Sequence, residues 1–373
     1  MRDEPVSVAR APTPAARAAM AHIAADGGWW PFDRFMAFAL YEPGLGYYAR
    51  GERIFGTLPG RSNGHDGGSD FVTAPEISPL FGRALAVQLA QALTATDTHE
   101  LWEFGSGSGA LAAELLTTLG DQVATYHVVD LSGGLQARQR ARLAAFGDRV
   151  VWHATLPERI CGVVIGNEVL DAMPAKLLHF DGAQWHERGV AVAQGALAWA
   201  DRPTDLRPPV DAPFAPGTVT EIHPQALAWM RTLADVLGIG ALFLIDYGFP
   251  EAEYWLPQRH GGTLMCHRAH RADADPLLEV GDKDISVHVD FTGIALAGQD
   301  AGLEVLGYTS QARFLLNCGL VPLLEAADLP TRSMAQKLIH EHEMGELFKV
   351  IGFVKGPWFD ALGFAEGDRS HRL

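Results

Sequence analysis

The sequence is poor in cysteine and in positive charge, and each shortage excludes a class of protein. Its three cysteines, Cys161, Cys266 and Cys318, are far apart and fit a reducing compartment better than a disulfide framework. Lysine and arginine number 29 against 45 aspartate and glutamate residues, so the net charge is −16. We therefore expect no extended surface for nucleic acid or for an anionic membrane.

Long apolar runs are missing as well. No stretch approaches the ~18 residues that a membrane-spanning helix needs, so membrane insertion is not expected. Residues 1–14 contain Arg and Pro without an apolar region, and Asp3 and Glu4 argue against a transit peptide. These features predict a cytoplasmic protein. With 48% hydrophobic and 20% charged residues, the 373-residue chain can fill the core of one large domain or two smaller ones.

The pattern of turn residues and apolar periods divides the chain into segments. The expected order is a disordered N-terminus, a helical cap region, an α/β core with two insertions and a C-terminal tail, over residues 1–14, 15–98, 99–358 (insertions at about 176–222 and 311–346) and 359–373. In the cap region, Ser78 before Pro79 predicts the start of a helix. Its expected buried stripe is Leu80, Ala84, Val87 and Leu93.

Apolar runs and helical periods alternate through the core. The predicted strands are 100–104, 126–130, 149–153, 161–167, 240–246, 303–310 and 348–356. Continuous apolar strands that alternate with helices are typical of a parallel sheet covered on both faces. The sequence thus predicts an α/β fold with a seven-stranded, mostly parallel, doubly wound sheet, and the segment 176–222 is an excursion able to cover the site.

A glycine-rich turn follows the first of these strands. Glu103 precedes Gly105, Gly107 and Gly109, which allow a ligand to lie against bare backbone near a helix N-terminus. Gly105, Gly107 and Ala110 also satisfy a dinucleotide fingerprint, and a tight turn without any ligand is the third possibility. A carboxylate in the turn favours S-adenosylmethionine (SAM) over a pyrophosphate, which it would repel. Asp130, at the end of the next strand, can accept ribose hydroxyls in either ligand.

Polar residues also follow the fourth strand. Asn167, Glu168 and Asp171 come directly after an apolar run, at the edge where ligands bind in parallel sheets. Two carboxylates suit a cationic group such as a guanidinium. The alternative is that Asn167 caps a helix and the acids face solvent.

Two further motifs lie towards the C-terminal half. Asp246-Tyr247-Gly248 follows the fifth strand, and His288 precedes Asp290. His288 is either a proton acceptor or a packing residue, whereas Asp290 is expected to cap a helix. Cys266, His267 and His270 lack a fourth ligand nearby, so we predict no metal site.

Several longer motifs, in this order, resemble the MidA-like family of class I SAM-dependent methyltransferases. They are Phe35-Met36, Leu40-Tyr41-Glu42-Pro43, Gly46-Tyr47-Tyr48, Asp70 to Ser78, Phe81-Gly82, Asn167 to Pro174, Trp185 with Glu187, Asp246-Tyr247-Gly248, Gly262-Thr263, His288 to Phe291 and Met344 to Val350. The resemblance implies a Rossmann-like fold, SAM as cofactor and S-adenosylhomocysteine (SAH) as product. It also implies methylation of an arginine in a protein substrate, a respiratory complex I subunit.

The resemblance assigns roles to residues. Gly105, Gly107 and Gly109 would lie beneath SAM, with Glu103 near its methionine part. The remaining cofactor contacts would come from Asp130, Leu131, Asn167, Thr73, Glu76 and Ser78. Glu168, Asp171 and His288 are the implied catalytic residues.

This sequence departs from the family at two kinds of position. Ser106 and Ser108 stand where the family has Pro and Arg. The second glutamate of arginine methyltransferases has no counterpart, so Asp171 or Glu187 must replace it, or the acceptor is not arginine. A SAM-binding assembly protein without catalysis is one alternative function. A nicotinamide-dependent oxidoreductase is another, although the two terminal strands argue against it.

Overall fold

The computed structural model describes residues 11–49, 73–130, 133–268 and 271–373. The α-helices of these residues are α1 (Pro14–Ala25), α2 (Phe32–Tyr41), α3 (Ala74–Ile77), α4 (Pro79–Thr96), α5 (Ala110–Leu119), α6 (Gly133–Arg142), α7 (Pro224–Val236), α8 (Glu251–Tyr254), α9 (Phe291–Asp300), α10 (Gln311–Asn317), α11 (Leu320–Ala326) and α12 (Leu329–Ala335).

The strands of the described residues are β1 (Trp29–Pro31), β2 (Glu100–Phe104), β3 (Thr125–Val129), β4 (Val150–His153), β5 (Ile160–Asn167), β6 (Lys176–Phe180), β7 (Trp185–Ala193), β8 (Ala196–Pro203), β9 (Thr218–Ile222), β10 (Leu237–Phe249), β11 (Met265–Arg268), β12 (Arg271–Asp273), β13 (Asp284–Ser286), β14 (Val289–Asp290), β15 (Glu304–Ser310) and β16 (Phe348–Lys355). None of the described helices combines the length and the apolar character that crossing a bilayer requires.

A central sheet carries the order β15-β16-β10-β5-β2-β3-β4. Neighbours from β10 to β4 run parallel, whereas β16 is antiparallel to both β10 and β15. The short strand β14 pairs with the end of β10. The predicted seven-stranded, mostly parallel sheet is confirmed, and the two predicted terminal strands form one edge of it, with β16 as the reversed strand.

Helices cover both faces of this sheet because its strands are apolar on both sides. Along β10, Ala241, Phe243 and Ile245 pack into one core, and Leu242 and Leu244 pack into the other. Helices α4, α5 and α10 cover the first face, and α7 and α9 cover the second. Each fully buried large side chain contributes roughly 1.5–3 kcal/mol, so both layers stabilise the fold.

The start of α4 agrees with the sequence, but part of its buried stripe does not. The Ser78 hydroxyl accepts a hydrogen bond from the Leu80 N–H, which confirms the cap. Val87 was expected to be buried, yet 43% of its surface is exposed. The buried face of α4 instead includes Gln88. The side-chain oxygen of Gln88 accepts a 2.7 Å hydrogen bond from Gly363 N. A polar residue on the inner face misled the periodicity.

The excursion 176–222 forms most of a second sheet. Strands β6 to β9 and β1 make a five-stranded antiparallel sheet in the order β1-β7-β6-β9, with β8 on the far side of β7. Helices α1 and α2 pack against this sheet through a third hydrophobic core. The N-terminal region and the excursion thus fold together.

Candidate active site

The carboxyl ends of β2, β3, β5 and β10 open into a single large cavity. Its volume is about 1300 Å³, and its lining includes residues that follow each of these strands. Further walls come from the end of α2, from 259–288 and from 334–348. No residue of 176–222, all of which are described, lines this cavity, so that predicted insertion does not cover the site. The other predicted insertion, 311–346, does contribute to its walls.

The floor beside β2 is bare backbone. Gly105, Gly107 and Gly109 have φ values of +66°, +53° and +79°, a region that side chains disfavour. A Cβ at Gly105 would approach Val169 Cγ2 to 3.0 Å. At its glycines, the turn therefore brings bare main chain to the cavity and close to the loop after β5.

Both serines of this turn are engaged by acids. Ser106 donates a 2.5 Å hydrogen bond to Glu103, which also accepts one of 2.9 Å from Tyr126. Burial raises the pKa of Glu103 to about 7, against the effect of these hydrogen bonds. Ser108 donates to Glu76, and Arg142 Nη1 lies 2.9 Å from the same carboxylate oxygen. Arg142 thus supplies a guanidinium close to the position where the resembling family carries its arginine.

Glu168 follows β5 in an unusual backbone conformation. Its φ is +55°, which costs energy for a residue with a side chain and is typical of functional sites. Its N–H donates to Ile245 O at 2.9 Å, and its carboxylate accepts a 2.9 Å hydrogen bond from Asn167. Burial, followed by the nearby charge of Asp171, raises the pKa of Glu168 to about 8. Asn167 therefore does not cap a helix, and Glu168 does not face bulk solvent.

Asp171 lies beside Glu168 and is only partly satisfied. One carboxylate oxygen accepts a hydrogen bond from Tyr247, and Oδ1 is buried without a partner among the described residues. Burial raises the pKa of Asp171 to about 6. Asp246 holds the backbone of the loop after β5 in place. Its carboxylate accepts hydrogen bonds of 3.1, 2.9 and 3.3 Å from the N–H groups of residues 169–171.

A tyrosine pair and a third carboxylate complete this wall, and sequence reasoning assigned them no role. Tyr41 and Tyr48 stack with ring centroids 5.7 Å apart. The Tyr41 hydroxyl donates to Ala172 O at 2.8 Å, and the Tyr48 hydroxyl donates to Asp284 at 2.8 Å. Their signal was present in the motifs at 40–48, but nothing there relates these tyrosines to residues 172 and 284.

His288 lines the same cavity. Its Nδ1 is buried without a partner among the described residues, and its ring meets Tyr247 edge-on at 5.2 Å. Burial, assisted by the charge of Arg259, lowers the pKa of His288 to about 4, so the ring is neutral near pH 7. The Thr263 hydroxyl accepts a 3.0 Å hydrogen bond from His288 N. Asp290, as predicted, caps α9 through Gly293 N.

Most of the predicted site residues converge on this cavity. Its lining includes Thr73, Glu103, Gly105, Gly107, Asp130, Asn167, Glu168, Asp171 and His288. Three predicted cofactor contacts lie behind that lining, because Ser78 caps α4, Gly109 caps α5 and Glu76 binds Ser108 and Arg142. Leu131 lies outside the described residues.

Two other expectations concern acids and metals. Glu187 does not replace the second glutamate, because it pairs with Lys176 at 2.7 Å in the five-stranded sheet, away from the cavity. Asp171 is the acid beside Glu168. Among the described residues, no three metal-ligating side chains lie together. Cys266 is buried, and burial raises its pKa to about 12; His270 lies outside the described residues.

The cavity fits SAM together with a second substrate. Its floor lacks side chains at Gly105 and Gly107, and Asp130 stands at the end of β3 with Gln139 Nε2 2.8 Å from one oxygen. Buried oxygens of Asn167 and Asp171 have no partner among the described residues and can accept hydrogen bonds from a ligand. The volume of about 1300 Å³ exceeds the usual ~300–1,000 Å³ of a small-molecule pocket, which leaves room for an acceptor group.

Comparison with known proteins identifies the cofactor class. The model of a family of S-adenosyl-L-methionine-dependent methyltransferases matches residues 84–309. A crystal structure of a protein from Burkholderia thailandensis, bound to S-adenosyl-homocysteine, has a TM-score of 0.91 and 48% identity, covering 98% of this chain and 100% of that chain. The Rossmann-like fold of class I methyltransferases, expected from the resemblance, is confirmed by this similarity.

More distant relatives carry names that specify a substrate class. The mitochondrial protein arginine methyltransferase NDUFAF7 of Homo sapiens is 25% identical, over 83% of this chain and 75% of the relative. Its homolog in Caenorhabditis elegans is 24% identical, over 77% of this chain and 72% of the relative.

These names contradict the cytoplasmic location that the sequence was taken to indicate. The relatives are mitochondrial proteins by name, in nematode, fish and human alike. The cytoplasmic prediction is wrong on this finding. It rested on the reading of residues 1–14 as unlike a transit peptide and on the few cysteines, and a low cysteine content does not distinguish the cytoplasm from other reducing compartments.

Proposed function

This chain belongs to the family of S-adenosyl-L-methionine-dependent methyltransferases, and on that premise we propose that its methyl acceptor is an arginine side chain of a protein. The observation that carries the proposal is a pair of neighbouring carboxylates, the half-buried Glu168 and the buried Asp171, in the lining of the cavity beside the glycine turn. A guanidinium matches two such carboxylates with paired N–H groups. The names of the more distant relatives support the same acceptor.

We assign the cofactor contacts as follows. The backbone at Gly105 and Gly107 lies beneath SAM, Asp130 accepts the ribose hydroxyls, and Glu103 and Thr73 border the methionine part. Bound SAM supplies an electrophilic methyl group on a sulfonium. Three residues outside the lining support these contacts indirectly. Glu76 accepts a hydrogen bond from Ser108 of the glycine turn, Ser78 caps α4 and Gly109 caps α5.

We assign the acceptor contacts to the wall built around the residues that follow β5 and β10. Glu168 and Asp171 hold and orient the guanidinium, and Tyr41, Tyr48 and Tyr247 exclude water from it. Because both acids have raised pKa values, binding of a cation promotes loss of their protons. Neutral His288 has an unpartnered Nδ1 and accepts the proton that the guanidinium releases on methylation.

The finer substrate follows from the family resemblance alone. We propose that the acceptor arginine belongs to a subunit of respiratory complex I. The acidic lining of the cavity supports a basic segment of that protein as the part that enters.

Glu168→Gln tests the assignment. We expect at least a ~100-fold loss of kcat for transfer of a labelled methyl group from SAM to arginine, because the oriented negative charge is lost while the side-chain shape is kept. SAH binding, measured by calorimetry, should stay within about threefold of the wild type. Glu187→Gln is the matched control, because Glu187 lies in the other sheet. Wild-type transfer by Glu168→Gln, or product found only on lysine, would reject the proposal.

A further inference from the structure

The charged lining of the cavity is strongly acidic. Carboxylates come from Glu103, Asp130, Glu168, Asp171, Asp284 and Glu343. The arginine and lysine side chains among the described lining residues are Arg259 and Lys337. The methionine part of SAM ends in an ammonium and a carboxylate. An acidic cavity suits the ammonium but repels the carboxylate, so a cation in the wall would stabilise the carboxylate.

Arg259 is already engaged on the acceptor side of the cavity. Its guanidinium carbon lies 3.7 Å from the ring centroid of Phe249, and Nε donates a 2.9 Å hydrogen bond to Glu253 O. Its charge acts on His288, which lies at the same wall. Arg259 is therefore committed to the region around the end of β10.

Lys337 makes no such contacts, and the segment that carries it is linked to the glycine turn. It is half-buried in a short turn, Gln336–Leu338, and has no hydrogen-bond or ion-pair partner among the described residues. The turn packs against α3, and Leu338 shares a core with Ala74 of that helix. Since Glu76 of α3 accepts the hydrogen bond from Ser108, α3 links this turn to the glycine turn.

From these contacts we propose that Lys337 binds the carboxylate of the methionine part of SAM and of SAH. The neighbouring hydroxyls of Thr73 and Ser106 line the same cavity and are uncharged. A lysine ammonium has three hydrogen-bond donors, so it can pair with a carboxylate in several orientations. This inference concerns the cofactor and stands apart from the identity of the methyl acceptor.

A pair of ligands isolates this contact without any need for activity. SAH carries the carboxylate, whereas methylthioadenosine has the same adenosine and sulfur without the amino-acid end. For Lys337→Met, we expect SAH affinity to fall on the order of tenfold, because a charge-assisted hydrogen bond is lost. Methylthioadenosine affinity should stay within about twofold. Lys337→Arg should restore most of the SAH affinity.

Arg259→Met is the control, because it removes the other cation of the lining. It should leave the ratio of the two affinities unchanged. Circular dichroism of each variant establishes that it is folded. Equal losses for both ligands in Lys337→Met, no loss for either, or a wild-type protein that binds the two ligands equally well would each overturn the proposal.

Discussion

The molecule contains two groups of acidic residues, one that forms ion pairs with lysine and arginine and one that does not. In the five-stranded sheet, acids sit beside cations: Lys176 lies 2.9 Å from Asp33 and 2.7 Å from Glu187, and Arg188 contacts Asp201. At the carboxyl edge of the central sheet, the charge of Asp171 acts on Glu168, and no lysine or arginine among the described residues pairs with either acid.

Their pKa values move in opposite directions as a result. Burial opposes ionisation of Asp201, but the hydrogen bond and charge of Arg188 outweigh it and lower the pKa. At the cavity, burial dominates and raises the pKa values of Glu168 and Asp171 to about 8 and about 6. An acid that forms an ion pair within the fold has little affinity for a further cation. An acid without such a pair remains able to bind a cationic ligand. The second arrangement costs stability, as binding sites commonly do.

Removing one acid from each group breaks the comparison most directly. Asp171→Asn should lower kcat/KM for arginine methylation by about a hundredfold and leave the thermal midpoint unchanged or higher, because it relieves repulsion. Asp201→Asn should keep activity within about twofold while lowering the free energy of unfolding by about 1 kcal/mol. Kinetics and urea denaturation of the two variants check this. A stability loss in Asp171→Asn with activity retained would contradict it.

The pH dependence sharpens the comparison. Ionised Glu168 and Asp171 are needed for a guanidinium, so methyl transfer should rise between about pH 6 and pH 8 as they lose protons. Over the same range the unfolded chain has already lost those protons, so the folded state binds more and stability falls as pH rises. Asp201 acts in reverse, since its contribution is lost as pH falls below its ordinary range.

Urea denaturation from about pH 2 to pH 9 measures these slopes. Glu168→Gln should flatten the decline on the alkaline side, and Asp201→Asn should flatten the acid side. Equal slopes in wild type and Glu168→Gln would show that this carboxyl titrates normally.

The smallest expected effect comes from the cation in the five-stranded sheet. Lys176→Met leaves Asp33 and Glu187 without their shared partner, and the lysine is 22% exposed. We expect the free energy of unfolding to fall by about 1–2 kcal/mol, between the values of surface and buried pairs. SAH affinity should not change. Lys176→Arg is the control, and a loss of SAH affinity at constant stability would mean that the two regions are not separate.

The central sheet was predictable because its signals are local. Each buried strand is a continuous apolar run, and the glycine turn and Ser78 cap lie within a few residues of the elements they define. The second sheet was not predicted for the opposite reason. Its strand β1 has three residues and pairs with β7, more than 150 positions along the chain. Turn residues were recognised there, but no local pattern reveals such a partner.

The site follows the same division. Glu168 and Asp171 are neighbours in sequence, and the rule for parallel sheets located them correctly at the cavity. Asp284 and Lys337 reach it from distant segments, and no local pattern relates either residue to those that follow β5. Glu187 was considered because of its charge, and only the fold reveals that Lys176 already neutralises it.

The reversed strand β16 has a consequence for how such an enzyme changes over evolutionary time. Because β16 runs against its neighbours, its first residue, Phe348, and the segment before it reach the same edge as the ends of the parallel strands. Met344 and Leu347 of that segment line the cavity, yet they belong to a connection that follows the last helices. The chain can therefore lengthen or reshape residues 339–347 without altering the glycine turn or the short turn that carries Lys337. New acceptors can be acquired there while the cofactor half is inherited unchanged.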